Sequence, residues 1–545
     1  MSAAQQRWSM RRLRSFDFAA GYKMGMPAQS LGRSKMFLAK RRRRGVFCRF
    51  GRDGPQGDRM QPSSATMDQS PIRAPEAPAP LDGAALPPPH GLHRTLSSFG
   101  VLLLTVSCLS PALSIYGVGA DVLQHTGTGA VGLFLLGLAA ALVWSVVYAE
   151  LGSAYPYSGG DYVGVGAILG SGAGFICLAG WSTTAGPATA FVAQTLATYI
   201  ADLLPGVNKT VLTFATLAAA LGIALLAVRT SAFITGLFLA VEMAVVIALA
   251  VCGFVHPVHG LEVLNAHPMA LAAGAAPGAA LTPVTLIALA LGAVNSVYGT
   301  VGGNQAISFG EELKDPHRRM GPVIVAACLL GALATALPVI AVVVGARDLP
   351  ALLKSPAPLT AFVSSIAGRD VGRAVDVGVA LAIFNALVAQ LMWCARLFYS
   401  LGRDEVFNAG VNRLLGRVHA ASGAPRVATW VAGALTAACC LVPSHLLLVF
   451  ISSLIVYSFG LVCTAVLLGR RRGLTARPGY WRGPLFPLGP LAGLGLVAAF
   501  VVANLADPSE GRPSLLILGA TLAAASLWYA FRLKRRPGGW APRVV

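Results

Sequence analysis

FGVLLLTVSCLSPALSIYGVGADV (99–122) and LIALALGAVNSVYGTVGGNQAISFGEE (286–312) are both long apolar stretches, and neither reads as an unbroken helix. In the first, Ser107, Ser110, Pro111 and Ser114 cluster at the middle. Proline lacks the backbone donor and clashes with the preceding turn, so the spacing predicts a break at Pro111. In the second, Gly299, Gly302 and Gly303, with Asn295 and Asn304, make the middle a poor helix. Non-helical backbone at membrane depth is tolerated where it lines a cavity or is covered by protein. Interrupted spans five apart, at positions one and six, are the product of an inverted five-plus-five repeat, whose half-helix ends face a midplane ligand. The alternative for either stretch alone is a packing device, because Gly, Ser and Pro also serve helix contacts in membranes.

The rest of the chain agrees with a membrane setting. Of 545 residues, 55% are hydrophobic and 12% charged, too little charge for a soluble surface. The apolar residues come in runs matched to a bilayer core, such as 211–227, 244–254 and 323–344,. Spans are expected near 99–122, 128–151, 172–200, 208–228, 231–255, 283–310, 320–345, 372–400, 426–442, 445–468, 486–504 and 513–532, about twelve in all,. The loops test that count. One set holds Arg229, then Lys314, Arg318 and Arg319, then Arg403, Arg413 and Arg417, then Arg470, Arg471, Arg472, Arg477 and Arg482, with Lys534, Arg535 and Arg536 in the tail. The other set holds Lys209, Arg347, Lys354, Arg369, Arg373 and Arg512. The positive-inside rule therefore places both termini in the cytoplasm of a multi-pass protein in the plasma (inner) membrane.

Residues 1–92 are Arg-rich, then Pro- and Ala-rich, and read as a disordered extension,. Residues 93–536 form the membrane domain and 537–545 a short cytoplasmic tail. No apolar stretch follows the early basic residues, so a secretory signal is not expected, and Met67 reads as an alternative start,. The net charge of +20 lies in the tail and loops, without a basic face carrying interleaved aromatics, which argues against nucleic acid,. Nine scattered cysteines, most of them in apolar runs, read as small hydrophobes rather than disulfides or a zinc site,. No GxxxxGK[ST] is present, so ATP-driven transport by this chain is not expected,. No cofactor, metal or enzymatic constellation stands out.

Four segments carry a resemblance. They are YAELGSAYPYSGGDYVGVG (148–166), FGEELKDPHRRMGP (309–322), ARLFYSLGRDEVF (395–407) and ALSIYG (112–117). In this order they resemble the amino acid–polyamine–organocation (APC) superfamily of permeases over about Leu92 to Arg536. The resemblance implies an all-α integral membrane fold of the LeuT-like type, with ten core helices plus two. It implies proton symport or exchange of amino acids or related amines by alternating access. It also implies that a substrate carboxylate meets the amides of Ala112, Leu113 and Ser114 beside Ser110. Unpaired N–H groups at a half-helix N-terminus are in any case a ready anion site. The amino group would meet carbonyls of Tyr298, Gly299, Thr300 and Val301, ahead of Gly302, with Tyr298 as an aromatic gate. Ala112 and Ser114 stand where the family carries glycine, and Glu405 follows the GRD in place of glycine, which puts fine substrate geometry in doubt. A carrier of another solute, such as a nucleobase, or a transporter-like sensor is the alternative.

Ionisable residues refine the expectation. Glu242, mid-span in FLAVEMAVV, is a costly intramembrane carboxyl,. It is expected to carry a coupling proton, the alternative being a carboxyl that is permanently protonated or hydrogen-bonded in the bundle. Glu150 closes the second span, Asp161 sits in the loop after it, and Glu311, Glu312 and Asp315 close the sixth; these acids are expected to pair with basic cytoplasmic loops, Arg403 among them, as gate or structural contacts. No acidic residue in the central segments of spans one, three, six and eight awaits a cationic side chain, so the lean is to neutral or small substrates.

Overall fold

The computed structural model describes residues 94–204, 206–226, 228–260, 267–272, 280–355, 357–419, 422–484, 486–509 and 511–542. The expected extension over 1–92 lies outside the described residues, as do 543–545 of the expected tail.

The first span is broken where proline predicts. Helix α1 (Ser98–Leu109) ends at Ser110, which adopts the left-handed region at φ 45°, ψ 85°. Helix α2 (Pro111–Leu113) restarts at once and continues through π turns over Ser114–Gly119 and α-helix over Ala120–Thr126. Proline disfavours the helical region for its predecessor and offers no N–H, so the chain turns at Ser110. The Ser110 hydroxyl then caps the new start by accepting from the Leu113 amide. Two helices follow, α3 (Ala130–Ala154) and the short α4 (Asp161–Leu169), buried along nearly its whole length. Gly170, at φ 101°, turns the chain directly into α5 (Ser171–Leu203). Gly166 and Gly174 let α4 and α5 meet backbone to backbone, since a Cβ on Gly174 would lie 2.6 Å from the Gly166 Cα. Sequence reading had taken this stretch for a loop.

Helices α6 (Lys209–Ala224) and α7 (Val228–Val255) come next. A two-residue hairpin pairs Met269–Ala270 with Thr282–Pro283, an addition the sequence did not announce. Helix α8 (Leu286–Thr300) gives way at Val301, which is extended, and Gly302, at φ 157°, to a 3₁₀ run over Gly303–Glu312. That φ is open essentially to glycine alone. Gly299 remains inside α8, so the interruption falls at the second glycine. The chain goes on through α9 (Pro316–Gly345), α10 (Leu349–Lys354), α11 (Pro358–Ala367) and α12 (Arg369–Arg403). It finishes with α13 (Ala409–Leu415), α14 (Arg426–Cys439), α15 (Ser444–Arg471), α16 (Leu488–Ala506) and α17 (Gly511–Trp528).

Among the described residues, eight stretches are long and apolar enough to cross a membrane. The longest of them, Ser98–Ala154, takes in the first two expected spans. Helix also fills the other expected windows, but α6 and α14, at 16 and 14 residues, fall short of a bilayer core by length alone,. Helix α1 lies between α7, α9 and α12, while α3 packs along α8 and α9. The break in the first span is thereby packed among α7, α9 and α12. The sequence boundary at 536 is too early. Trp540 is buried and its indole nitrogen donates to the Asp404 carbonyl at 2.7 Å, while Pro542 sits against Gly166.

Candidate functional site

The break in the first span leaves amides without helical partners. Glu242, on α7, comes to it. Its Oε1 accepts from the Ala112 amide at 2.9 Å and from the Ser110 hydroxyl at 3.0 Å. The Leu113 amide goes to Ser110 Oγ at 3.3 Å and the Ser114 amide to the Ser110 carbonyl. All three amides expected to greet a substrate carboxylate are therefore taken, one of them by the chain's own carboxylate. A half-helix N-terminus has met a carboxyl, and that carboxyl is Glu242,. Asn385 on α12 lies beside it and donates to Ser107 Oγ at 3.0 Å. Glu242 Oε2 and Asn385 Oδ1 are buried and have no hydrogen-bond partner among the described residues.

A cavity of about 90 Å³ adjoins both interruptions. From the first span it is lined by Leu109, Leu113 and Ser114; from α8 and the 3₁₀ run, by Tyr298, Val301, Gly302, Asn304 and Gln305. Five of the nine expected binding residues (Leu113, Ser114, Tyr298, Val301 and Gly302) thus stand at the cavity. Four do not. Ser110 and Ala112 lie behind its wall on Glu242, fully buried. Gly299 packs against Val118, and the Thr300 hydroxyl is returned to the Ser296 and Val297 carbonyls of its own helix. Sequence reading missed the contribution of other helices to the lining, among it Trp181 and Thr184 of α5, Gln390 and Trp393 of α12, and Phe459 of α15. Gln390 donates to the Cys108 carbonyl at 3.1 Å, tying α12 to the broken span, and Trp181 meets Trp393 edge to face at 5.8 Å. Polar and Trp side chains inside otherwise apolar runs were the available signal.

One end of the bundle is closed by charge. Glu312 and Arg396 form a two-pronged pair at 2.8 and 3.0 Å, both buried, with the guanidinium 4.4 Å over the Phe309 ring. Arg403 pairs with Glu311 and, at 2.8 Å, with Asp404, whose other oxygen accepts from Tyr162 at 2.6 Å. Leu96 and Leu313 form a bridge beside them, Leu96 N donating to the Glu312 carbonyl at 2.9 Å. Glu150 takes Arg470 at 3.2 Å, the Thr475 hydroxyl at 2.8 Å and the Gly483 amide at 2.9 Å. Glu150 and Glu311 thus pair with Arg470 and Arg403, whereas Glu312 pairs with Arg396 of α12 rather than with a basic loop. Arg396, a guanidinium inside an apolar span, had been passed over. Two further expectations need correction. Asp315 is exposed, in the left-handed region at φ 55°, and makes no ion pair among the described residues; the Asp–Pro step uses it to begin α9. Asp161 is buried and meets no basic side chain there either. It is carried inward by α4, away from the basic loops.

A polytopic helical bundle with a small cavity between two interrupted helices, closed at one end by ion pairs, is the architecture of a membrane permease. Residues 96–524 match the family described as amino acid permease, and the chain belongs to that family. It is also similar to a protein of Arabidopsis thaliana named "Cationic amino acid transporter 9, chloroplastic", at 24% identity over 393 residues. The match takes in 67% of this chain and 65% of that relative, so the chain spans just under two thirds of the relative's length. Family membership puts the chain among permeases rather than enzymes.

Proposed function

We propose that this chain is a secondary transporter that moves amino acids or related amines by alternating access. It does so on a LeuT-like five-plus-five repeat of about twelve spans, with both termini in the cytoplasm and the inner membrane as its setting. The observation that carries the reading is the cavity at the paired breaks, Ser110–Pro111 and Val301–Gly302, with Glu242 bound to the first of them. Glu242 makes that site ionisable. Charged, it holds the Ala112 amide and the Ser110 hydroxyl; protonated, it holds them less tightly and frees the break to change. Charge-assisted hydrogen bonds of this kind are roughly twice as strong as neutral ones. Proton movement is in this way coupled to the geometry of the first span, for symport or for exchange. The ion pairs at Glu312 and Arg403 then serve as the cytoplasmic gate.

The test is uptake of a radiolabelled amino-acid and amine panel into proteoliposomes, with and without an inward proton gradient. Saturable uptake of one class, stimulated by the gradient in the wild type and not in Glu242→Gln, is the expected result. Glu242→Gln protein with normal proton coupling sinks the coupling role. Binding of an amino acid without movement of any would make the chain a sensor on a transporter scaffold.

A further inference from the structure

Asp161 opens α4, and the fold carries it beneath the central cavity rather than toward the basic loops. It lines a pocket of about 10 Å³ whose walls include Trp181, Asn304, Gln305 and Trp393, all four of which also line the larger cavity. The carboxylate is therefore one layer of side chains from the cargo space. Its acidic neighbours at this end of the bundle each have an arginine partner, Glu311 and Asp404 sharing Arg403 and Glu312 taking Arg396. Asp161, 4% exposed, has no basic partner among the described residues. Tyr148, Trp181 and Asn304 are near enough to act on it, yet Oδ2 has no hydrogen bond of normal geometry, and neither do Tyr148 Oη and Trp181 Nε1. Gln305 Oε1, in the same pocket, is unpartnered as well. A buried carboxylate without a counter-charge is expensive, and the remedy is a cation or a proton.

The opposite wall points the same way. The amides that could have received a carboxylate are already occupied, Ala112 by Glu242 and Leu113 and Ser114 by Ser110, and among the described residues the cavity lining contains no Arg, Lys or His. Two carboxyls thus stand just behind the cavity walls and, among the described residues, no cation lines it, while Trp181 and Trp393 line both the cavity and the Asp161 pocket; aromatic rings attract cations in their own right. We propose that Asp161 is the counter-charge for a cationic group at the far end of the cargo, which makes the cargo a basic amino acid or a diamine. This rests on the permease reading above and reverses the lean toward neutral substrates.

The experiment compares lysine, arginine and putrescine with leucine, in proteoliposomes for uptake and in detergent for thermal stabilisation of the full chain. The wild type is expected to prefer the cations. Asp161→Asn, nearly isosteric, should lose cation uptake and cation stabilisation tenfold or more while any leucine uptake stays within about threefold, since it removes a compensating charge. Asp161→Glu should recover part of the preference. Preference for leucine in the wild type, or parallel loss of all cargoes in a folded Asp161→Asn, overturns the proposal. Should the wild type move nothing, the transport reading fails by itself. The stabilisation measurement then still decides: cation-specific stabilisation that Asp161→Asn abolishes supports the counter-charge, and its absence refutes it.

Discussion

Replacing Glu312 by Gln should be among the more damaging single-atom-scale changes available in this chain. Arg396 is 2% exposed and its partner 1%. In Glu312→Gln the guanidinium keeps its bond to the Met392 carbonyl and its place over Phe309, but loses both charge-assisted bonds to the carboxylate. Leaving a buried charge uncompensated costs about 3–5 kcal/mol, whereas removing both partners for apolar side chains of similar size is often neutral. The expected pattern in denaturant unfolding from mixed micelles is a large loss in Glu312→Gln, a similar loss in Arg396→Met, and substantial recovery in Glu312→Leu with Arg396→Met. The Glu312 carbonyl also holds Leu96, so the single variant should raise maleimide labelling of a cysteine placed at Leu96. Single variants costing under about 1 kcal/mol, the range of an exposed pair, would refute the assignment of this pair as a buried clamp. So would a double variant as unstable as the two singles summed.

Gly302→Ala meets two obstacles, the φ of 157° and a Leu109 Cγ that would lie 3.2 Å from the new Cβ; a loss of about 1–3 kcal/mol in the same unfolding assay is expected from the backbone alone. Trp540→Ala removes the bond to the Asp404 carbonyl and the edge contact with Phe175 at 5.5 Å. Truncating a buried Trp typically costs about 3–5 kcal/mol, and here the loss should also appear as faster tryptic cleavage after Lys534 and Arg535.

The parts of the fold that depend on a single residue's backbone chemistry could be read from the sequence. Pro111 has no N–H to give and disturbs Ser110, and Gly302 alone tolerates its dihedral, so both interruptions were predictable from composition at those points. Glu242 stood out because a carboxyl in a run of valine and alanine has no local reason to be there. What could not be read is convergence. Which of Ser110, Leu113 and Thr300 faces the cavity depends on how far each helix is rotated about its own axis, and residues two apart in a helix face opposite neighbours. Arg396 lay unread inside a quoted motif because its partner is 84 positions away. Asp161 was misread for a related reason. Its glycine-rich surroundings signal a loop, but the Gly166–Gly174 contact turns them into a tightly packed helix pair that delivers the acid to the interior.

The carboxy-terminal segment bears on how the protein can be handled. Arg536 donates to the Glu405 and Phe407 carbonyls, and Trp540 to that of Asp404. The last helical turn of α12, which holds Arg403, is thus fastened from outside by residues that resemble a dispensable tail. A purification handle or fluorescent reporter placed beyond Val545 leaves this fastening in place. A fusion joined at 536 would strip off the Trp540 plug and expose the Phe175 surface beneath it, and any change in behaviour would then belong to the junction rather than to the reporter.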